Sequence, residues 1–259
     1  LWDIAGKAAE LPIYRLVGGP CRSAVPVYVS GIRGETTPDK IVTMRGFLDR
    51  GFNDFKLFAG FGVAEDAELV RTLLAGAGPR ARLAVDALWK YDINTAQRLG
   101  RLLETAGALW LEAPIEPEDV AGNAALARAL DLPIANGEAL RTRLEFRPWL
   151  EQRAIDIAQP DMGRCGITEG LAIIELAETF HVPVALHMGI ASAVMIAATL
   201  QVAAASPHVG LVEYQPVVLE VANRLLATPI RCEAGQMEIP AGPGLGIELD
   251  AAALEHFAV

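Results

Sequence analysis

The sequence is poor in cysteine, and its three cysteines lie far apart. Cys21, Cys165 and Cys232 form no C-x-x-C pair, so the sequence predicts neither a disulfide framework nor a zinc ribbon. No segment with a basic start and an apolar core precedes a small-residue cleavage site, which is the pattern of a secretory signal. We therefore expect a cytoplasmic protein.

Basic residues are also scarce. The chain has 22 Lys and Arg residues against 32 Asp and Glu residues, a net charge of −10. This charge repels nucleic acid phosphates and anionic membrane surfaces, so neither a nucleic-acid partner nor a membrane partner is expected. The uncharged stretch 188–205 approaches the length of a membrane span. It is rich in Ala and has no flanking positive charges, which favours a helix packed against a sheet.

The remaining composition is that of a folded globular protein, with 52% hydrophobic and 21% charged residues. Short apolar runs recur along it, and each ends in a polar residue. These terminal residues are Asp86, Glu112, Glu138, Asp161, His187 and Glu213. Their spacings are 26, 26, 23, 26 and 26 residues, about the length of one strand, loop and helix.

Two earlier apolar runs, at 25–30 and 52–58, bring the number of predicted strands to eight. Eight strands alternating with helices predict a TIM-type (β/α)7β barrel, whose catalytic residues lie at the carboxyl ends of the strands. We assign residues 1–229 to this catalytic barrel. Residues 230–259 are rich in Gly and Pro with short alternating runs, which predict small antiparallel strands that need a partner.

Three of the terminal residues end neighbouring strands. Asp86, Glu112 and Glu138 follow strands three, four and five, and adjacent strands lie about 4.8 Å apart, so their carboxylates can converge. A single acid at a strand end is more often solvated or paired with Arg. Three in register, without His or Cys, predict a site for Mg²⁺, with Mn²⁺ possible.

Asp161 and His187 end the next two strands. The aspartate can hold one nitrogen of the imidazole while the other faces the mouth of the barrel. A histidine held in this way is suited to act as a general base near neutral pH.

These residues stand in motifs that resemble the enolase superfamily, in particular its mandelate racemase subgroup. The motifs are AVDALW, WLEAPIEPED, ANGE, QPD with GRCGIT, LHMG and VEY, in this order and spacing. The resemblance implies that Asp86, Glu112 and Glu138 bind Mg²⁺, and that His187 with Asp161 is the base. It also implies that Glu213 hydrogen-bonds a developing enolate oxygen. Enolase-superfamily sites are a standard example of a Lys or His base with Mg²⁺.

Strand two departs from the subgroup, which commonly carries Lys-x-Lys there. This chain reads FKLFAG, so Lys56 matches the first lysine and Phe58 replaces the second, opposing base. Lys56 can take the role of that base from one pleat, or two residues, deeper. Alternatively, it is a buried ammonium paired with an acid such as Asp54, which lies on the same strand face.

Family members also carry an N-terminal α+β capping domain, which nothing before Leu1 supplies here. We therefore expect residues 230–259 to complete such a domain. The resemblance favours a Mg²⁺-dependent lyase that dehydrates a sugar acid, a small carboxylate substrate, and that forms a homo-oligomer. Two alternatives stay open, a racemase or epimerase that uses Lys56 and a non-catalytic or truncated barrel.

Overall fold

The computed structural model describes residues 1–257 and contains a closed barrel of eight parallel strands. The barrel strands are β1 (Ala24–Ser30), β2 (Asp54–Phe58), β3 (Arg82–Asp86), β4 (Leu111–Glu112), β5 (Ile134–Asn136), β6 (Ile157–Ala158), β7 (Val184–Leu186) and β8 (Val209–Tyr214). Successive strands pair in order, and β1 pairs with both β8 and β2, which closes the barrel. The predicted TIM-type fold is confirmed.

Helices connect the strands in the expected alternation. Within the described residues the helices are α1 (Trp2–Ala8), α2 (Ile13–Leu16), α3 (Thr37–Asp49), α4 (Val63–Ala77), α5 (Ile93–Ala106), α6 (Val120–Ala129), α7 (Arg143–Glu151), α8 (Met162–Thr179), α9 (Ala193–Ala205), α10 (Pro216–Asn223) and α11 (Ala251–Phe257). Helices α3 to α9 lie between the eight strands and complete the (β/α)7β pattern.

Helix α5 illustrates how the local sequence sets these boundaries. The Asp92 side chain accepts a hydrogen bond from the Thr95 N–H at the start of the helix, which satisfies a backbone donor that has no partner within the helix. Gly107 ends it in the left-handed region, at φ 77°, where a side chain would be strained. Leu99 and Leu103 lie one turn apart on its buried face.

Residues 193–205 of the uncharged stretch form α9, which packs against α8 and β1. No helix within residues 1–257 is both long and apolar enough to cross a membrane. The interpretation of this stretch as a packed helix is confirmed.

Alternate residues of the strands face two separate cores. Val85, Leu111 and their equivalents point outward and pack under the helices. A smaller cluster inside the barrel contains Tyr28, Ala84, Trp110, Ala135 and Ala185. It fills the barrel below the ends of the strands, so the polar residues two positions further along lie on an apolar floor.

The C-terminal segment forms the predicted antiparallel strands, β9 (Cys232–Glu233) and β10 (Gln236–Glu238). Ala234 and Gly235 connect them with positive φ at both residues, as in a two-residue type I′ hairpin. The partner of this hairpin lies within the chain, because β10 pairs antiparallel with the start of β1. The assignment of residues 230–259 to a capping domain stays a prediction.

Candidate active site

The polar residues predicted at the strand ends meet at the carboxyl mouth of the barrel. Strand β3 ends at Asp86 and β4 at Glu112, and the two are paired in register. Glu138 follows β5 by two residues, and Glu213 lies within β8. The strand pairing also continues past β6 and β7, because Asp161 and His187 form an isolated parallel bridge.

The three predicted metal ligands converge. Asp86, Glu112 and Glu138 each place one carboxylate oxygen within 4.8 Å of an oxygen of the other two. Asp86 and Glu112 are buried, whereas the Glu138 side chain keeps 14% of its surface exposed. The cluster is therefore reached from solvent on the side of Glu138.

Lys56 lies under this cluster and is fully buried. Its Nζ contacts Glu112 Oε1 at 2.5 Å, Glu213 Oε1 at 3.0 Å and Asp86 Oδ2 at 3.3 Å. Burial opposes the charged form, but the carboxylates outweigh burial and raise the lysine pKa well above its usual value. The suggested pairing with Asp54 is wrong, because Asp54 lies at the start of β2 and binds Arg82 instead.

His187 is held from both sides. Its Nδ1 lies 2.6 Å from Asp161 Oδ2, and its Nε2 lies 3.1 Å from Glu138 Oε2. The other oxygen of Asp161 accepts hydrogen bonds from the Gly163 and Arg164 N–H groups at the start of α8. The aspartate is thus fixed by a helix N-terminus, and it fixes the imidazole in turn.

The environment of His187 favours its protonated form. Burial lowers the histidine pKa, but Glu213, Asp161 and Glu138 together outweigh burial and raise it to about 10. Two of these acids approach the Nε2 atom that faces the mouth, Glu138 Oε2 at 3.1 Å and Glu213 Oε2 at 3.5 Å. Occupation of Glu138 by another partner would remove the closer of these two contacts and lower the histidine pKa.

Glu213 is buried between the lysine and the histidine. Its Oε2 accepts a hydrogen bond from the Met188 N–H at 2.9 Å. Burial alone would raise the Glu213 pKa, but Lys56 and His187 outweigh burial and lower it to about 2. A hydrogen bond from Glu213 to an enolate oxygen would need a proton on this group, which its present contacts disfavour.

Acids outnumber basic side chains five to two at the mouth. The seven groups are Asp86, Glu112, Glu138, Asp161, Glu213, Lys56 and His187. Burial and the nearby Glu112 raise the Asp86 pKa to about 7, because Lys56 offsets only part of this effect. An excess of buried carboxylate oxygens, without sulfur ligands, fits a hard divalent cation such as Mg²⁺.

Two residues of the site were not predicted from the sequence. Trp110 Nε1 donates a hydrogen bond to Glu112 Oε2 at 3.0 Å, and Gln159 Nε2 donates to the same oxygen at 2.8 Å. The two-residue period of a strand could have predicted that both face the same side as the acids. Trp110 precedes Glu112 by two residues, and Gln159 precedes Asp161 by two.

Comparison with known proteins places this arrangement in a family. Residues 42–253 match the family described as enolase C-terminal domain-like. The chain belongs to this family. The resemblance to the enolase superfamily predicted from the motifs is confirmed.

Individual relatives are similar to this chain over nearly its whole length. The chain is 33% identical to the D-xylonate dehydratase of Haloferax volcanii, with 98% of the chain and 66% of that relative covered. It is 32% identical to the D-galactarolactone cycloisomerase of Agrobacterium fabrum, with 99% and 71% covered. The crystal structure of the 3,6-anhydro-D-galactonate cycloisomerase from Zobellia galactanivorans superposes with a TM-score of 0.91 at 28% identity, with 99% and 72% covered. The chain thus spans about two thirds of the length of the relatives it matches.

Proposed function

We propose that this chain is the barrel of a Mg²⁺-dependent lyase that dehydrates a sugar acid. The observation that carries the proposal is the position of the His187–Asp161 pair beside the cluster of Asp86, Glu112 and Glu138. Proteins named D-xylonate, arabinonate and D-galactonate dehydratase, each 31–33% identical to the chain, support the substrate class.

Different residues at the mouth would bind the cation and transfer the proton in such a reaction. Asp86, Glu112 and Glu138 would hold the cation, which when bound offsets the second negative charge that forms on the substrate carboxylate. His187 takes the proton α to the carboxylate on Nε2, and Asp161 keeps the ring oriented through Nδ1. The same Nε2 then returns the proton to the β-hydroxyl, which leaves as water. The remaining enol rearranges to a 2-keto-3-deoxy acid.

Several contacts favour one base over two. Lys56 Nζ is engaged by three carboxylates, so it has no free lone pair to accept a proton. Phe58 follows on the same strand face, and the Lys56 ammonium lies 5.7 Å from the centre of its ring. A racemase or epimerase needs a second base on this side of the substrate, and this arrangement disfavours it.

The test of turnover uses the longest reading frame that contains this chain, with Mg²⁺ and a panel of D-xylonate, arabinonate and D-galactonate. We expect NMR to detect a 2-keto-3-deoxy acid from at least one substrate. Deuterium exchange with inversion at the α-carbon, and no dehydration, would favour the racemase instead. Mg²⁺ binding without any reaction would favour the non-catalytic barrel. The expected homo-oligomer is tested on the same sample by light scattering.

The metal site is tested by the variants Asp86→Asn, Glu112→Gln and Glu138→Gln. Each removes one anionic ligand, so we expect calorimetry to detect weaker Mg²⁺ binding and the assay to detect loss of turnover. Asp54→Asn is the matched control, because Asp54 is a buried acid outside the cluster that pairs with Arg82. Unchanged Mg²⁺ binding in all three variants would mean that the site is wrongly placed.

A further inference from the structure

Glu112 accepts more hydrogen bonds than the other two acids of the metal cluster. It is fully buried, and three donors reach it from within the barrel. Lys56 Nζ contacts Oε1, whereas Trp110 Nε1 and Gln159 Nε2 both donate to Oε2. A carboxylate oxygen has about two acceptor sites. Oε2 is therefore saturated, and Oε1 keeps one site for a cation.

The two donors to Oε2 are themselves held in place. Trp110 lies in the interior core and packs edge to face on Tyr28, with ring centres 5.3 Å apart. Gln159 is fully buried. Its amide nitrogen must face Glu112, because an ionised carboxylate only accepts hydrogen bonds. Neither side chain can leave Oε2 without losing a buried hydrogen bond, so a cation competes poorly for this oxygen.

We propose that Trp110 and Gln159 restrict Glu112 to ligation through Oε1 alone and thereby favour Mg²⁺ over Ca²⁺. Mg²⁺ requires near-octahedral geometry at about 2.0–2.1 Å, whereas Ca²⁺ accepts about six to eight oxygens at longer distances and often takes both oxygens of a carboxylate. Because Trp110 and Gln159 already occupy Oε2, a cation cannot bind both oxygens of Glu112. Trp110 and Gln159 act through their contacts with Glu112, so they are positioning residues. The inference rests on the proposed metal site.

The first experiment measures the dissociation constants of Mg²⁺ and Ca²⁺ by calorimetry in the parent protein and in Trp110→Phe, Gln159→Met and the double variant. Loss of a group that orients a metal ligand typically costs about 10- to 100-fold in affinity. We expect each variant to bind Mg²⁺ at least about tenfold more weakly and to lose part of its preference over Ca²⁺. Trp149→Phe, which alters another buried indole on α7, should leave both constants unchanged.

The second experiment needs no substitution of the site. In the nitrogen-15 NMR spectrum of the parent protein, the Trp110 indole N–H should be protected from solvent exchange and should stay protected when Mg²⁺ saturates the site. Loss of protection on Mg²⁺ binding would mean that the cation takes Oε2, which overturns the inference. Folded variants with the parent's ratio of Ca²⁺ to Mg²⁺ constants would overturn it as well. A parent protein that binds no Mg²⁺ would overturn this inference and the proposed metal site together.

Discussion

His187 serves the proposed reaction through one ring nitrogen and is oriented through the other. His187→Asn removes the proton acceptor at the mouth, so exchange of the substrate α-proton with deuterium, followed by NMR, should fall by about 10²- to 10⁴-fold. Asp161→Asn should be damaging but less complete. It disturbs the tautomer and orientation of the ring, while the Asn side chain can still accept at the start of α8. Retained exchange in His187→Asn would mean that another group takes the proton.

Lys56 stabilises the fold, and this role is separate from catalysis. Its ammonium compensates three buried acids, Asp86, Glu112 and Glu213. Lys56→Met leaves them without this counter-charge, and breaking a buried ion pair from one side costs about 3–5 kcal/mol. Urea unfolding with a chelator present should detect this loss, and added Mg²⁺ should recover part of it. Lys7→Met is the control, because Lys7 forms an exposed pair with Asp3. Equal stability of Lys56→Met and parent would contradict the assigned contacts.

The sequence predicted the positions of the acids better than their partners. A regular spacing of strand ends is enough to bring Asp86, Glu112 and Glu138 together, because parallel strands present their carboxyl ends at one edge. Partners depend on depth within the barrel, which spacing does not encode. Asp54 shares a face with Lys56 but lies at the start of β2, away from the mouth, so it meets Arg82 across the register. Trp110 and Gln159 stand in the motifs WLEAPIEPED and QPD, but they were missed because a motif does not show which acid an indole or amide contacts.

At the scale of elements, the loop between β2 and α4 is fixed by one buried side chain. Asp66, in the first turn of α4, accepts hydrogen bonds from the Gly60 and Phe61 N–H groups and from the Tyr91 hydroxyl. Burial and the contact with Asp66 raise the Tyr91 pKa. The loop follows Phe58 directly, so this anchor also shapes one wall of the mouth.

Asp66→Ala leaves three donors without their acceptor. An unsatisfied buried donor costs about 1–3 kcal/mol, so the variant should lose about 2–4 kcal/mol of unfolding free energy, and hydrogen exchange at Gly60 and Phe61 should accelerate. Tyr91→Phe removes the hydroxyl that donates to Asp66 and accepts from the Gly62 N–H, and it should cost about 1–2 kcal/mol. The exposed neighbour Glu65→Ala should change neither quantity. An unchanged exchange rate at Gly60 in Asp66→Ala would refute the anchoring role.

The start of helix α3 differs by one residue from the start that its sequence pattern suggests. The sequence pattern TPDKIVTMRGFLDRG suggests Thr37 as the N-cap of α3, but the structure uses Thr36. Its side chain accepts from the Asp39 N–H, and Asp39 returns a contact to the Thr36 N–H. This reciprocal pair requires the acid three positions after the cap, a spacing that Thr36 satisfies and Thr37 does not.

On the scale of the whole molecule, one buried side chain links segments near both ends of the chain to the barrel. Gln201, buried on α9, accepts from the Tyr14 N–H and donates to the carbonyl oxygens of Pro240 and Leu245. It therefore joins an N-terminal and a C-terminal segment that are more than 200 residues apart. The repeat of strands and helices could not predict this tie, because both segments lie outside the repeat.

Gln201→Leu should destabilise these two end segments and leave the mouth unchanged. The variant keeps a similar side-chain volume but leaves a buried N–H and two carbonyl groups unpaired, a loss of about 2–4 kcal/mol. Hydrogen exchange at Tyr14 and proteolysis near Leu245 should accelerate. The calorimetric Mg²⁺ affinity should stay that of the parent, because none of the metal ligands contacts Gln201. Gln236→Leu, an exposed glutamine on β10, should leave exchange at Tyr14 unchanged. If Gln201→Leu behaves like Gln236→Leu, the ends are held by other contacts, such as the hydrogen bond from the Leu245 N–H to Asp3.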